Sequence, residues 1–220
     1  MRALLIAGGN IDIMWAGEFV KMHKYDRIIA VDGGLSAANL LGLCPDMIVG
    51  DFDTVSEELL SIYTGIGDEK CEIVRLNPEK DDTDTQCAMN RILDAGAKEI
   101  HILGGTGSRI DHTMSNIYML KMAYERGAHA VMYDKINKIS VIAEKTVLYR
   151  DEAYGKYISF MQLEGPVRDV TLEGFKYNVE HFEFDTSREY RMAVSNEFTG
   201  EKAVVDMAEG MFIVMEISGD

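Results

Sequence analysis

The strongest constraint on the fold is an alternation of short apolar runs with amphipathic segments, which continues from the first residue to about Asp134. Apolar runs of this length are typical of strands buried on both faces of a parallel sheet, and amphipathic segments are typical of the helices that connect them. The predicted strands are residues 3–7, 27–31, 47–49, 73–76, 100–103 and 130–133. The predicted helices are residues 13–22, 35–41, 57–63, 84–95 and 114–126. This part is therefore predicted to be an α/β domain with a mostly parallel sheet.

After Asp134 the pattern changes to short segments separated by glycine, asparagine and charged turns. Strands are predicted at residues 157–163, 167–172, 191–194, 202–208 and 211–217, and no segment has the period of a helix. We expect an all-β sandwich. The predicted domains are residues 1–135 and residues 136–220.

Composition narrows the possible functions. The 220 residues carry a formal net charge of −15, which argues against nucleic acid as a partner because such proteins present a basic face. A nucleotide would have to bind together with magnesium. The three cysteines form no C-x-x-C pair and no run of 18 apolar residues occurs, so we expect a protein of the reducing cytoplasm that does not bind a membrane.

The first chemical motif is a pair of aspartates at the end of the third predicted strand. If residues 47–52 are extended, Asp51 and Asp53 project to the same side and Phe52 projects to the other. Two adjacent carboxylates repel each other, and a hard cation such as Mg²⁺ offsets that repulsion. The alternative is that both are ordinary loop and N-cap residues.

A second acidic motif precedes the fourth predicted helix. Asp81 and Asp84, three residues apart, can face one point, and Lys80 can neutralise a phosphate oxygen. The alternative is a capping box made by Thr83 and Gln86, which accounts for those two residues but not for the aspartates.

Glycine pairs follow three predicted strands, at Gly8-Gly9, Gly33-Gly34 and Gly104-Gly105. Such pairs let backbone amides approach a phosphate or a base closely. Neither the Walker pattern nor the dinucleotide-binding glycine spacing is present. Arg109, just after the third glycine segment, suits a phosphate clamp, whereas Asp111 is also explained as an N-cap.

Five motifs together resemble the thiamine pyrophosphokinase family in order and rough spacing, and the resemblance covers nearly the whole chain. The motifs are Asp32-Gly33-Gly34, Gly50-Asp51-Phe52-Asp53-Thr54, Lys80-Asp81-x-Thr83-Asp84, Gly104-Gly105-x-Gly107-x-Arg109-x-Asp111-His112 and Ser195-Asn196-Glu197-Phe198. Thr54 and Ser108 depart from the commonest residues of the family, and neither change removes a ligand.

The resemblance implies transfer of the diphosphoryl group of ATP to the hydroxyl of thiamine, giving thiamine diphosphate and AMP. It implies a magnesium site at Asp51, Asp53, Asp81 and Asp84, and a homodimer in which thiamine lies between one subunit's first domain and the other subunit's β-domain. The residues similar to the family's ATP site are Asp32, Gly33, Gly34, Lys80, Thr83, Gly104, Gly105, Gly107 and Arg109. Those similar to its thiamine site are Asp111, Ser195 and Asn196, and Arg109 with Asp111 resembles the pair where phosphate meets hydroxyl.

Two other functions use parts of the same motifs. A magnesium-dependent phosphohydrolase would share the acidic site but need no thiamine, and a non-catalytic binding module would lack the metal ligands. The sequence leaves open whether Asp81 or Asp111 accepts the proton of the hydroxyl, because a loose transition state requires no strong base.

Overall fold

The computed structural model describes residues 1–53, 55–64, 71–77, 81–190 and 192–219, and every structural statement below concerns those residues. Thr54 and Lys80, which belong to two of the motifs, lie outside the described residues. The chain divides into two compact units, Met1–Lys135 and Ile136–Asp220.

The first unit is an α/β domain, as the apolar runs predict. Its strands are β1 (Arg2–Ile6), β2 (Arg27–Val31), β3 (Met47–Gly50), β4 (Glu72–Arg75), β5 (Glu99–Leu103) and β6 (His129–Tyr133). Its helices are α1 (Ile13–Lys21), α2 (Gly34–Leu40), α3 (Glu57–Thr64), α4 (Asp84–Asp94) and α5 (Ile110–Glu125). All neighbouring strands of this unit pair in parallel, in the order β6-β5-β1-β2-β3-β4.

The strand order explains where a ligand can bind. Strand β1 lies between β2 and β5, so the chain builds outward from β1 in one direction and later in the other. The loops that leave the carboxyl ends of β1 and β5 therefore turn to opposite faces of the sheet and leave a crevice between them. The side chains of Leu4, Leu5 and Ile6 are fully buried, so the crevice stands on a rigid central strand.

Side-chain hydrogen bonds cap the first turn of two helices of this unit. Asp12 caps α1 by accepting from the Trp15 amide at 3.0 Å, and Thr83 caps α4 by accepting from the Gln86 amide at 3.1 Å. The predicted cap at Thr83 is thus confirmed. Helix α5 begins at Ile110, four residues before its predicted start, and Arg109 rather than Asp111 occupies the N-cap position.

The second unit is a sandwich of two antiparallel sheets. One sheet contains β7 (Asn137–Ile142), β9 (Tyr157–Gln162), β12 (Ala193–Asn196) and β14 (Phe212–Ile217), in the order β12-β9-β14-β7. The other contains β8 (Thr146–Tyr149), β10 (Val167–Glu173), β11 (Val179–Phe184) and β13 (Lys202–Asp206), in the order β11-β10-β13-β8. Buried side chains from both sheets, including Phe160, Phe184 and Phe212, form one core. This confirms the predicted all-β sandwich.

Three strands of this unit were not predicted from the sequence. Strands β8 and β11 lie at the two edges of their sheet, and most of their residues are exposed or partly buried, so neither has a long apolar run in its sequence. Strand β7 begins with Asn137 and Lys138, and its extent is set by pairing with β14 over six residues. A single turn of 3-10 helix, Arg150–Glu152, was also not predicted.

Candidate active site

A cleft of about 550 Å³ lies at the carboxyl ends of the first unit's strands, at the position that the strand order predicts. Predicted site residues that line it are Asp32, Gly33, Asp51, Asp53, Thr83, Asp84, Gly104, Gly105, Gly107 and Arg109. Segments that are more than 70 residues apart in sequence therefore meet at one place.

The loops after β1 and β5 form the floor of the cleft and are joined to each other. The Gly9 amide donates to the Gly104 carbonyl at 2.9 Å, and the Asn10 amide donates to the Thr106 carbonyl at 2.8 Å. A Cβ atom at Gly9 would lie 2.2 Å from the Thr106 carbonyl oxygen, and Gly104 has a positive φ of 67°. The loops approach this closely because glycine has no side chain.

Gly9→Ala should therefore lower stability. The added methyl group would collide with backbone carbonyls that have no free end to rotate away, at a cost of about 1–3 kcal/mol in the free energy of unfolding. Denaturant unfolding measures this difference, and Gly8→Ala is the matched control, because a Cβ at Gly8 would meet its nearest atom at 3.5 Å. Equal unfolding midpoints for the two variants would contradict the close packing of these loops.

Asp32 is a partly buried carboxylate on the acidic wall of the cleft. Burial, together with the neighbouring carboxylates of Asp84 and Asp51, raises the pKa of Asp32 to about 7. Its Oδ1 atom lies over Gly50, where a Cβ would be only 1.8 Å away, and accepts no hydrogen bond from the described part of the chain. A buried carboxylate oxygen without a donor, next to further negative charge, fits a bound cation.

Asp51 and Asp53 both line the cleft, but not for the predicted reason. Strand β3 ends at Gly50, and Phe52 has a φ of 63°, so the expected extended backbone over residues 47–52 is wrong. The Asp53 amide donates to Asp51 Oδ1 at 3.1 Å, which closes a tight turn. The turn still buries the Phe52 ring in the core, and it keeps both aspartates at the cleft.

The second acidic motif divides around the start of α4. Thr83 and Asp84 line the cleft, whereas Asp81 is exposed and does not line it. The cleft is lined by Asp32 and Asp84. Asp81, which the resemblance assigns to the magnesium site, is not among its lining residues. Among the described residues, no three acidic, histidine or cysteine side chains converge closely enough to hold a metal ion.

Arg109 and Asp111 form an ion pair at the start of α5. Arg109 Nη2 donates to Asp111 Oδ2 at 2.6 Å, and Arg109 Nε donates to Oδ1 at 3.3 Å. Arg109 lowers the pKa of Asp111 to about 2, so this carboxylate is a weak proton acceptor while the pair persists. Arg109 and the neighbouring His112 line the cleft, whereas Asp111 does not.

Three other predicted residues have surroundings that the motifs did not indicate. Gly34 is buried at the start of α2, where a Cβ would lie 2.0 Å from the Ile6 carbonyl oxygen, so it serves close packing. Asn196 is fully buried in the second unit. Its side-chain Oδ1 accepts from the Tyr177 backbone amide at 2.9 Å, and its Nδ2 donates to the Tyr177 backbone carbonyl at 2.9 Å. Ser195 is exposed and has a positive φ of 56°.

Sequence reasoning missed several residues of the cleft, including Asn10, Thr106 and Asn116. Asn116 had a detectable signal, because an asparagine within the apolar stripe of α5 needs a buried hydrogen-bond partner. That partner is the Gly105 carbonyl, which accepts from Asn116 Nδ2 at 2.7 Å. Thr106 donates to Asp134 Oδ2 at 2.8 Å, a contact between strand ends that no local pattern indicates.

Comparison with known proteins identifies this arrangement. Residues 21–132 match the family model described as "Thiamin pyrophosphokinase, catalytic domain", and residues 145–212 match "Thiamin pyrophosphokinase, vitamin B1 binding domain". The chain belongs to the thiamin pyrophosphokinase family. Members of this family transfer the diphosphoryl group of ATP to thiamine, so the chain is an ATP-dependent diphosphotransferase that makes thiamine diphosphate.

Individual relatives agree with the family match. The thiamine pyrophosphokinase of Bacillus subtilis is 27% identical over 194 residues, which cover 85% of each chain. A crystal structure of the Bacillus subtilis enzyme has the same fold, with a TM-score of 0.86, 24% identity and full coverage of both chains. A thiamin pyrophosphokinase family protein from Enterococcus faecalis gives a TM-score of 0.82 at 27% identity, again over the whole of both chains. The described part of the chain contains no helix that is long and apolar enough to cross a membrane.

Proposed function

We propose that the cleft of the first unit binds ATP with Mg²⁺ and that the diphosphoryl transfer takes place there. The observation that carries the proposal is Asp32 Oδ1, a buried carboxylate oxygen without a hydrogen-bond donor in the described chain. It lines the same cleft as Asp51 and Asp84, and the glycine loops form the floor of that cleft. Carboxylates on one side and unpaired amides on the other suit a metal-bound polyphosphate.

Because no three carboxylates converge on one point among the described residues, we assign the cation to Asp32, Asp51, Asp53 and Asp84 acting together with phosphate oxygens of ATP, and this set replaces the one that included Asp81. Mg²⁺ held there would neutralise charge on the phosphate oxygens as the transition state forms. Arg109 is placed to hold a phosphate oxygen by exchanging its contact with Asp111 for the substrate. The loop amides of residues 105–107 would bind the remaining oxygens.

The transfer itself needs positioning more than proton chemistry. The thiamine hydroxyl oxygen attacks the β-phosphorus of ATP, the bond from that phosphorus to the α–β bridging oxygen breaks, and AMP leaves with the bond's electrons. The hydroxyl proton passes to water or to a nearby carboxylate, and no strong base is required when the transition state is loose. The pKa of Asp111 is lowered by Arg109, so Asp111 is better suited to hold Arg109 than to remove a proton.

We further propose that thiamine is held by the second unit of a partner subunit in a homodimer. Two exposed apolar surfaces support a partner. Ile110, Met114 and Tyr118 recur at a spacing of four along α5 and are 43–69% exposed, and this helix also contributes residues to the cleft. Met192 and Val194, just before Ser195, are 44% and 51% exposed. Burying one surface against the other would bring Ser195 to the partner's cleft.

Tyr177 is the aromatic residue that we assign to the thiamine ring. Asn196 accepts from its backbone amide and donates to its carbonyl, which fixes the residue beside Ser195, while 58% of Tyr177 stays exposed. A rigidly held backbone with an exposed ring is suited to stacking on a flat ligand. In this assignment Asn196 positions Tyr177 and Ser195 contacts thiamine.

Tyr177→Ala should raise the KM for thiamine roughly three- to tenfold and leave the KM for ATP unchanged, since a stacking contact contributes about 0.5–1.5 kcal/mol. Steady-state kinetics with each substrate varied in turn measures both constants. Tyr149→Ala, which removes another half-exposed tyrosine of the same unit, is the control. An equal rise in both KM values would contradict a thiamine site in the second unit.

The reaction is tested by phosphorus NMR of the purified protein with ATP, MgCl₂ and thiamine. We expect AMP and thiamine diphosphate to appear together and only when thiamine is present. Phosphate or pyrophosphate release without thiamine would instead indicate the phosphohydrolase.

We place the protein in the cytoplasm, a proposal supported by the absence of disulfides among Cys44, Cys71 and Cys87.

A further inference from the structure

The loop after β5, residues 104–107, is held by its carbonyl groups. The carbonyls of Gly104 and Thr106 accept hydrogen bonds from backbone amides of the loop after β1, and the Gly105 carbonyl between them accepts from Asn116 Nδ2 at 2.7 Å. Three consecutive carbonyls therefore have donors. Asn116 provides the one contact of the three that comes from a side chain.

Fixed carbonyls determine where the amides of the same peptides point. In a trans peptide the C=O of one residue and the N–H of the next are directed oppositely. Holding the Gly105 carbonyl therefore aims the Thr106 N–H the other way. Within the described chain, nothing accepts a hydrogen bond from the N–H groups of Gly105, Thr106 or Gly107, and all three residues line the cleft.

Asn116 is fixed firmly enough to control this peptide. Its residue exposure is 6%, and it lies on α5 among the fully or almost fully buried Ile117 and Leu120. Gly105 is also packed closely against β6, because a Cβ at this position would lie 2.1 Å from Met132 Sδ. Asparagine is a poor helix former, so its presence in a buried helix position suggests that the hydrogen bond is the reason for it.

We propose that Asn116 is a positioning residue for the nucleotide: it turns the Gly105–Thr106 peptide so that the Thr106 amide faces the cleft and binds a phosphate oxygen. The inference rests on the proposed function, because it takes the cleft as the ATP site. It goes further in assigning the orientation of the phosphate-binding loop to one side chain on α5. Asn116 does not itself contact the reacting atoms in this assignment.

Asn116→Leu tests the inference, because leucine is neutral, close in size and favourable in a helix, yet it cannot donate to the Gly105 carbonyl. We expect ATP with MgCl₂ to bind about tenfold or more weakly, measured by calorimetry without thiamine. The KM for thiamine should stay within about twofold, since the loop does not belong to the thiamine site. Asn90→Leu is the matched control, because Asn90 lies on α4 outside the cleft and accepts from Arg126, and this variant should bind ATP like the wild type.

A purely structural role for Asn116 would lower stability without changing the affinity of the folded protein. Normal ATP affinity in Asn116→Leu, with a native circular dichroism spectrum, would therefore overturn the proposal. If this variant does not fold, Asn116→Ala at reduced temperature provides the same comparison. The calorimetry contains no thiamine, so its ATP affinities can be interpreted even if the protein shows no thiamine-dependent turnover. A lack of turnover would count against the proposed site of diphosphoryl transfer and not against the role of Asn116.

Discussion

Asp84→Asn should lower kcat by at least about a hundredfold at saturating ATP, thiamine and MgCl₂. The variant keeps an oxygen at the same place but removes a negative charge from a site proposed to hold a divalent cation, and charge stabilisation by a bound metal amounts to several kcal/mol in such transition states. The same variant should unfold at a higher temperature without magnesium. The pKa of Asp32 is raised by burial and by the carboxylates of Asp84 and Asp51, so removing one of them relieves repulsion.

The combination of lower activity and higher thermal stability separates this site from a structural aspartate. Asp82→Asn is the matched control, because Asp82 is exposed two residues away and does not line the cleft. It should change neither kcat nor the melting temperature appreciably. Near-normal turnover of Asp84→Asn at saturating magnesium would remove Asp84 from the cation site, whatever its effect on stability.

At a thiamine concentration far below the raised KM, where each of two defective chains turns over slowly by itself, their mixture should regain about a quarter of the active sites if each site is shared between subunits. One chain carries Asp84→Asn, and the other carries Ser195→Ala with Tyr177→Ala. In a mixed dimer one site collects both defects, and the other combines an intact cleft with an intact second unit. With equal amounts and random pairing, half of the dimers are mixed and half of their sites are intact. Activity after subunit exchange is measured against each chain alone.

A site built within a single chain predicts a different outcome for the same mixture. Every site would then carry one defect regardless of its partner, so activity would equal the average of the two separate chains. Light scattering checks the dimer, and differently tagged chains demonstrate that exchange has occurred. No recovery after demonstrated exchange would reject the shared site and leave the assignments in the acidic wall untouched.

Local sequence patterns were sufficient to predict the features that depend on neighbouring residues only. The apolar runs predict six parallel strands because residues covered on both faces of a sheet cannot be polar, and all six occur within one residue of the predicted bounds. The edge strand β4 differs from the other five because none of its residues is fully buried. The Thr83 cap was predictable for the same reason, since its donor is three residues away. Glycine pairs marked the loops that meet at the cleft, because only glycine permits contacts as close as that of Gly9.

Contacts between distant segments required the tertiary structure. The sequence suggested Asp81 as a partner of Asp51, but Asp81 is exposed and does not line the cleft, whereas Asp32, which has a φ of 44° after β2, does line it. Phe52 shows the limit of an alternation rule, since one residue with positive φ turns the chain. The positions of these aspartates and the turn at Phe52 depend on how the ends of neighbouring strands pack together. Sequence spacing alone does not predict that packing.

The sequence by itself determined the fold class, the chemistry of the groups at the strand ends and the family. The tertiary structure decided which of those groups share the cleft and what each one contacts there. Periodicity and glycine placement report the burial and backbone freedom of single segments, so they can be read along the chain. The pairing of Asp32 with Asp84, or of Asn116 with the Gly105 carbonyl, depends on the order of strands in the sheet, which is set by packing of the whole domain.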